Sequence, residues 1–216
     1  MAMSPKLIPS ATQTAGPFFH FGLLQPTWSD LTSGGKAKGD KITLEGRVTD
    51  GEGAPLPDAI IEIWQANAAG KYDHPEDAQD KPVDPGFRGF GRAFTDKDGV
   101  FRFTTVKPGS VPGRGNALQA PHIAVSIAAR GLLHHLFTRV YFPGEGLNKT
   151  DPVLSSIEDA TLQKTLIAAT QGNAGDIDVY KRQANSMSPA WVWKRALIEG
   201  GTTVTFLNFS RKSRCQ

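Results

Sequence analysis

The sequence predicts an all-β fold: an antiparallel β-sandwich with long loops, an extended N-terminal arm and one short late helix. Three observations carry this. Apolar and polar residues alternate with a period of two through several short runs. Turn-forming clusters of Gly, Pro and Asp separate those runs at intervals that suit a sandwich better than alternating βαβ units. The 216 residues suffice for one hydrophobic core but are few for two ordinary domains.

Residues 1–40 contain Pro5, Pro9, Pro17 and Pro26 and the polar stretch TSGGKAKGD, without periodicity, and read as an extended arm and loop. Residues 41–216 read as the sandwich domain. ITLEGRVT sets Ile42, Leu44 and Val48 against Thr43, Glu45, Arg47 and Thr49, a half-buried strand. DGEG at 50–53 is turn chemistry, and AIIEIWQA is a second strand. FGRAFT and VFRFTTV, joined by TDKDG, are expected to form a hairpin. After the loop VKPGSVPGRGN, HIAVSIAA and LLHHLFTRVYF flank RG as a second hairpin. The helix is expected in SSIEDATLQKTLIAAT, with Ser155 and Glu158 as a capping box and Ile157, Ala160, Thr161 and Leu162 opening its periodic face. WVWKRALI and TTVTFLNF read as closing strands.

Composition excludes several classes. Lys and Arg number 24 against 21 Asp and Glu, a net charge of +3, scattered except in the tail SRKSRCQ at 210–216, so nucleic acid is a poor partner. The single cysteine, Cys215, cannot close an internal disulfide, which suits a reducing cytosol. The N-terminus lacks a signal-like apolar core, and no stretch approaches the roughly 18 apolar residues of a membrane span. A soluble, unprocessed, cytoplasmic protein is expected.

The ionisable residues to weigh are His20, Tyr72, His74, His122, Arg130, His134 and His135. His74, His134 and His135 read as hydrogen-bonded rim residues. Zinc-hydrolase and serine-esterase signatures are absent from the chain. IEIWQANAAGKYDH carries a strand through a glycine turn to Tyr72, which would serve equally as an aromatic cap on a sheet edge. His122 opens HIAVSIAA on the face that also holds Ala124 and Ser126. A His-x-His there would point two imidazoles the same way, about 6–7 Å apart, as a shared metal needs. This chain has only the first half.

TQTAGPFFHFGL, LEGRVTDGEGAPLPDAIIEIWQANAAGKY, DPGFRGFGRAFTDKDGVFRFTTVKPG and APHIAVSIAARGLLHHLFTRVYF together resemble the intradiol ring-cleaving dioxygenases, from about Pro9 to Ile157. GGTTVTFLNF resembles the family's closing strand, whereas the segment 171–195 has no clear counterpart. The resemblance implies a sandwich that holds non-haem ferric iron with two tyrosinates and two histidines. Phenolate oxygens stabilise Fe(III), a catecholic substrate chelates it, and oxygen opens the ring between the two hydroxyls. Motif by motif, Tyr72 and His122 fall on the first tyrosine and first histidine, while the second of each is Val111 and Ala124.

Two isolated donors do not make the closed shell that ferric iron needs, so His122 reads as half of a lost pair, and no iron is expected in this chain. Within the family the resemblance is to alpha chains, which implies a homologous iron-bearing beta subunit. The implied reaction is protocatechuate plus dioxygen to 3-carboxy-cis,cis-muconate. It also implies that Thr14, Gly16, Pro17 and Arg130 line the partner's site, with Arg130 as the catalytic candidate, a cationic fork for a carboxylate or the ring-opened anion. Unbroken strand parity would put Arg130 on the face of His122 and Ala124. A non-enzymatic sandwich that binds aromatics, or only assembles, is the alternative.

Overall fold

The computed structural model describes residues 11, 16, 18–23, 25–50, 53–113, 115, 117–130, 132 and 135–168. The strands expected in WVWKRALI and TTVTFLNF, the segment 171–195 and the tail lie outside the described residues. Eight strands appear among those described: β1 (Lys41–Arg47), β2 (Ile60–Trp64), β3 (Phe90–Phe94), β4 (Val100–Val106), β5 (Val111–Pro112), β6 (Leu118–Gln119), β7 (His122–Ala128) and β8 (Leu136–Tyr141). Two short helices accompany them, α1 (Phe19–Leu23) and α2 (Ala160–Thr165).

The strands form two main antiparallel sheets, β1-β4 and β3-β2-β7-β8, with β5-β6 as a small ribbon. Alternation explains the layers. Ile42, Leu44, Phe101 and Phe103 point inward from the first sheet, and Ile61, Ile63, Ile123, Val125 and Ile127 from the second, all nearly or fully buried in one cluster. Gln65 joins the layers. It is wholly buried at the end of β2; its Nε2 donates to the Val106 carbonyl at 2.9 Å, and its Oε1 accepts from the Thr105 hydroxyl at 2.8 Å. A buried amide is tolerated there because its polar atoms are paired. The segment before β1 belongs to the same body: Leu31 is fully buried, and its N–H donates to the Thr104 carbonyl at 2.8 Å.

The hairpin expected from β3 and β4 does not form. β3 pairs with β2, and β4 pairs with β1 along all seven residues. TDKDG is a corner between sheets. Asp96 Oδ1 accepts the N–H groups of Asp98 and Val100 at 2.9 Å within the corner, and the Thr95 hydroxyl ties it to the preceding loop by donating to the Leu56 carbonyl at 2.8 Å. Turn chemistry alone does not distinguish a corner from a hairpin, because both need the same tight reversal. The β7–β8 hairpin forms as expected, from Ile127 opposite Leu136 to His122 opposite Tyr141.

The late helix starts five residues after the expected cap. Ser155 lies in a 3-10 turn, Leu154–Ser156, and α2 begins after Asp159, whose carboxylate accepts the Thr161 N–H at 2.7 Å. Its residues Ala160, Thr161 and Leu162 are exposed, and burial comes afterwards, at Leu166 and Ile167. Asp151 explains the delay: by accepting from Val153 and Leu154 it curls the chain so that Leu154 drops into a small core with Ala120 and Tyr141.

Candidate functional site

The outer face of the four-stranded sheet carries a row of directly opposed residues: Phe90 on β3, Trp64 on β2, Ala124 on β7 and Arg139 on β8. Tyr72 reaches this row from the loop after β2, with its ring stacked on Trp64 at 5.8 Å and 7°. The loop geometry follows from Asn67, whose side-chain oxygen accepts the N–H groups of Ala69 and Lys71 at 2.9 and 3.0 Å. Gly70 is required between them. Its φ is +79°, and a Cβ would collide with the Ser110 carbonyl oxygen. The Gly109 N–H donates to the Asn67 carbonyl at 2.9 Å, which brings the loop leading to Val111 against the loop leading to Tyr72. Val111 is buried, and its neighbour Pro112 shares a groove with Tyr72 and Trp64. Of the four positions read as present or lost metal ligands, Trp64 links two, since it stacks on Tyr72 and stands opposite Ala124; Val111 is buried on the side of its strand away from the groove that Pro112 lines.

His122 stands at the buried end of this face, only 5% exposed, with Nδ1–H donating to the Ala120 carbonyl at 2.8 Å and its ring 5.7 Å from that of Tyr141. Burial holds its pKa below the ordinary imidazole value; the Ala120 bond opposes this, and Arg139 adds to it. His122 is thus neutral near pH 7. Burial pushes the Tyr72 phenol up, with the Arg139 charge opposing. Tyr141 is pushed up to about 12 by burial, and it donates its hydroxyl to Asp151 Oδ1 at 3.1 Å.

Arg139 lies where these residues meet. Its Nη1 donates to Gln119 Oε1 at 2.6 Å and, more weakly, to the Tyr141 hydroxyl at 3.4 Å. No carboxylate pairs with it among the described residues. Sequence reading passed over Arg139, Gln119 and Asp151. The RG turn expected from the sequence would set Phe137 opposite Ala124; the observed register, with Ile127 opposite Leu136, puts Arg139 there instead.

The remaining candidates are elsewhere. Arg130 does not continue β7: the strand ends at Ala128, and Arg130 is exposed in the turn beyond it, separated from His122 by roughly 20 Å of strand. The expected shared face is therefore corrected, because parity stops with the ladder. Gly16 is exposed. Thr14, Pro17 and His134 lie outside the described residues, as does the side chain of His20. His74 and His135 are exposed; His74 Nδ1 accepts the Glu76 N–H at 3.2 Å.

Comparison with known proteins agrees with this architecture. A profile described as Dioxygenase matches residues 15–187, most of the chain. The chain belongs to the intradiol dioxygenase family. It is 40% identical over 179 residues to the protocatechuate 3,4-dioxygenase alpha chain of Pseudomonas putida, covering 77% of this chain and 86% of that one. It is 39% identical over 149 residues to the corresponding beta chain of Burkholderia cepacia, covering 66% of this chain but spanning only 63% of that relative. Among solved structures, the dioxygenase domain of a carbohydrate-binding fusion from Streptomyces sp. SirexAA-E aligns with a TM-score of 0.51 and 28% identity, over 77% of this chain and 91% of that one.

Intradiol dioxygenases depend on iron in general, and the residues present here do not fit that ion. Val111 and Ala124 offer no donor atom, and the residue opposite Ala124 is a permanent cation. Among the described residues no group of three or more His, Cys, Asp or Glu could hold a metal. No described helix is long and apolar enough to cross a membrane.

Proposed function

We propose that this chain is the alpha, non-iron subunit of a hetero-oligomeric protocatechuate 3,4-dioxygenase. In this reading the ferric iron sits in a homologous beta subunit, and the pair cleaves protocatechuate with dioxygen to 3-carboxy-cis,cis-muconate. The observation that carries the proposal is the incomplete donor set in a chain of this family, with Arg139 directly opposite Ala124. Exposed apolar residues support a partner. Phe18, Phe19 and Phe21 around α1 are 75, 59 and 59% exposed, more aromatic surface than a short helix ordinarily leaves in water.

Arg130 is the residue through which this chain acts on the partner's substrate. It is exposed and makes no hydrogen bond or ion pair among the described residues, so its guanidinium is free to meet a carboxylate. Thr14, Gly16 and Pro17 line the same wall in this reading. In the complex reconstituted with an iron-bearing beta chain, Arg130→Ala is expected to leave assembly and iron content unchanged. It should lower kcat/KM for protocatechuate by about 10- to 150-fold, the equivalent of one charge-assisted contact of roughly 1.5–3 kcal/mol. Catechol, which lacks the carboxylate, should lose less, and lysine should restore only part. Unchanged kinetics in a fully assembled complex would remove Arg130 from the site. Full turnover by this chain without a partner would overturn the subunit reading itself.

A further inference from the structure

Ala124 leaves a hollow between two aromatic rings and a cation. A cavity of about 540 Å³ opens over the outer face of β2, β7 and β8, within the size range of small-ligand pockets. Its floor is Ala124 and Ser126, its apolar walls include Trp64, Phe90 and Phe137, and Arg139 closes one side. The other charge at its edge is already balanced: Glu62 accepts from Arg92 Nε at 2.8 Å and Nη2 at 2.5 Å. Arg139 is different. One of its nitrogens is engaged by neutral partners, Gln119 and Tyr141, whereas Nε and Nη2 have no partner among the described residues.

We propose that this cavity is a binding site for a small aromatic carboxylate, held by Arg139 through its carboxylate and by Trp64, Phe90 and Phe137 through its ring. Each half of the ligand matches one wall. The guanidinium offers two adjacent N–H donors in a planar fork, the geometry that fits a carboxylate edge to edge. The rings and the Ala124 methyl receive a flat apolar body that would clash with any larger side chain at position 124. Neighbouring strands are about 4.8 Å apart, so Trp64 and Arg139 stand roughly 10 Å from each other across β7, a span that a carboxylated ring bridges. The site binds through a side-chain cation alone, and no chemistry follows binding. The site is separate from Arg130, which lies beyond the far end of β7.

The test is a titration of the full-length chain, alone and assembled with its partner, using benzoate, an aromatic carboxylate with no ortho-diol to chelate iron. Saturable binding is expected by calorimetry and by a change in tryptophan fluorescence, with one site per chain and a dissociation constant on the order of 1 mM or tighter. Arg139→Gln should weaken binding at least about 10-fold, Arg139→Lys less, and the neutral isostere benzamide should bind at least about 10-fold more weakly than benzoate. Ala124→Phe, which fills the hollow while keeping Arg139, should abolish binding; it decides the matter if the Arg139 variants fail to fold. Absence of saturable benzoate binding, equal affinity for benzamide, or undiminished binding by Ala124→Phe would each overturn the proposal. None of these outcomes bears on turnover by the assembled complex, so the cavity reading and the subunit reading fail separately.

Discussion

Replacing Asp151 with alanine is expected to lower the thermal midpoint of this chain by roughly 6–20 °C, from a loss of about 3–5 kcal/mol. Asp151 is fully buried, and its two oxygens accept four donors: the Ala120 N–H at 2.9 Å, the Val153 and Leu154 N–H groups at 2.9 Å, and the Tyr141 hydroxyl at 3.1 Å. These donors come from the chain entering β7, from the end of β8 and from the turn before α2, so one carboxylate fastens that turn to the end of the β7–β8 ladder. Removing it strands buried donors, each of which costs more to leave unpaired than its bond contributes when made. Asp151→Asn should fall between wild type and alanine, because it keeps the volume and one acceptor but sets an amide donor against one of the N–H groups. Thermal unfolding followed by circular dichroism measures both variants. A shift below about 2 °C for alanine would show that solvent replaces the carboxylate without penalty.

The chain produced without a beta subunit is expected to hold less than about 0.1 iron per chain and to lack the visible absorption of tyrosinate bound to ferric iron. Restoring the donors alone should not reverse this. In Val111→Tyr with Ala124→His, Arg139 remains opposite the new histidine. Each unit of charge on an ion about 5 Å from the guanidinium costs about 3 kcal/mol at an effective permittivity near 20, and ferric iron carries three. Adding Arg139→Gln to those two substitutions should therefore raise iron content toward one per chain and bring the colour with it. Metal analysis and absorption spectra of the wild-type, double and triple variants decide this. Near-stoichiometric iron in the wild-type chain would overturn the argument, and equal loading of the double and triple variants would show that Arg139 does not repel the ion.

Both results depend on features with different visibility in the sequence. The strands were legible because the sandwich buries one face of each, and a period of two records that burial residue by residue. β1, β2, β7 and β8 follow from alternation, and the pairing of β7 with β8 was legible from their proximity in sequence, although the connection is longer than the expected RG turn, since β7 ends at Ala128 and β8 begins at Leu136. Tyr72, His122, Val111 and Ala124 were legible as a set only through their resemblance to family motifs, since no local pattern connects residues 72, 111 and 122.

The amino-acid sequence by itself determined the fold class, the longer strands and the family, because each of these is written in residue type and short-range spacing. Tertiary structure alone decided that β3 and β4 part into different sheets, since that choice rests on ladder partners some 30 to 60 residues away and the turn between them serves either outcome. It alone delayed the late helix to Asp159, because the buried Asp151 claims the N–H groups ahead of it. It alone placed Arg139 against Ala124, next to Tyr72 and His122, because strand register converts distant positions into neighbours. A charge's consequences depend on those neighbours, so the site's electrostatic character emerges only when the sheet is assembled.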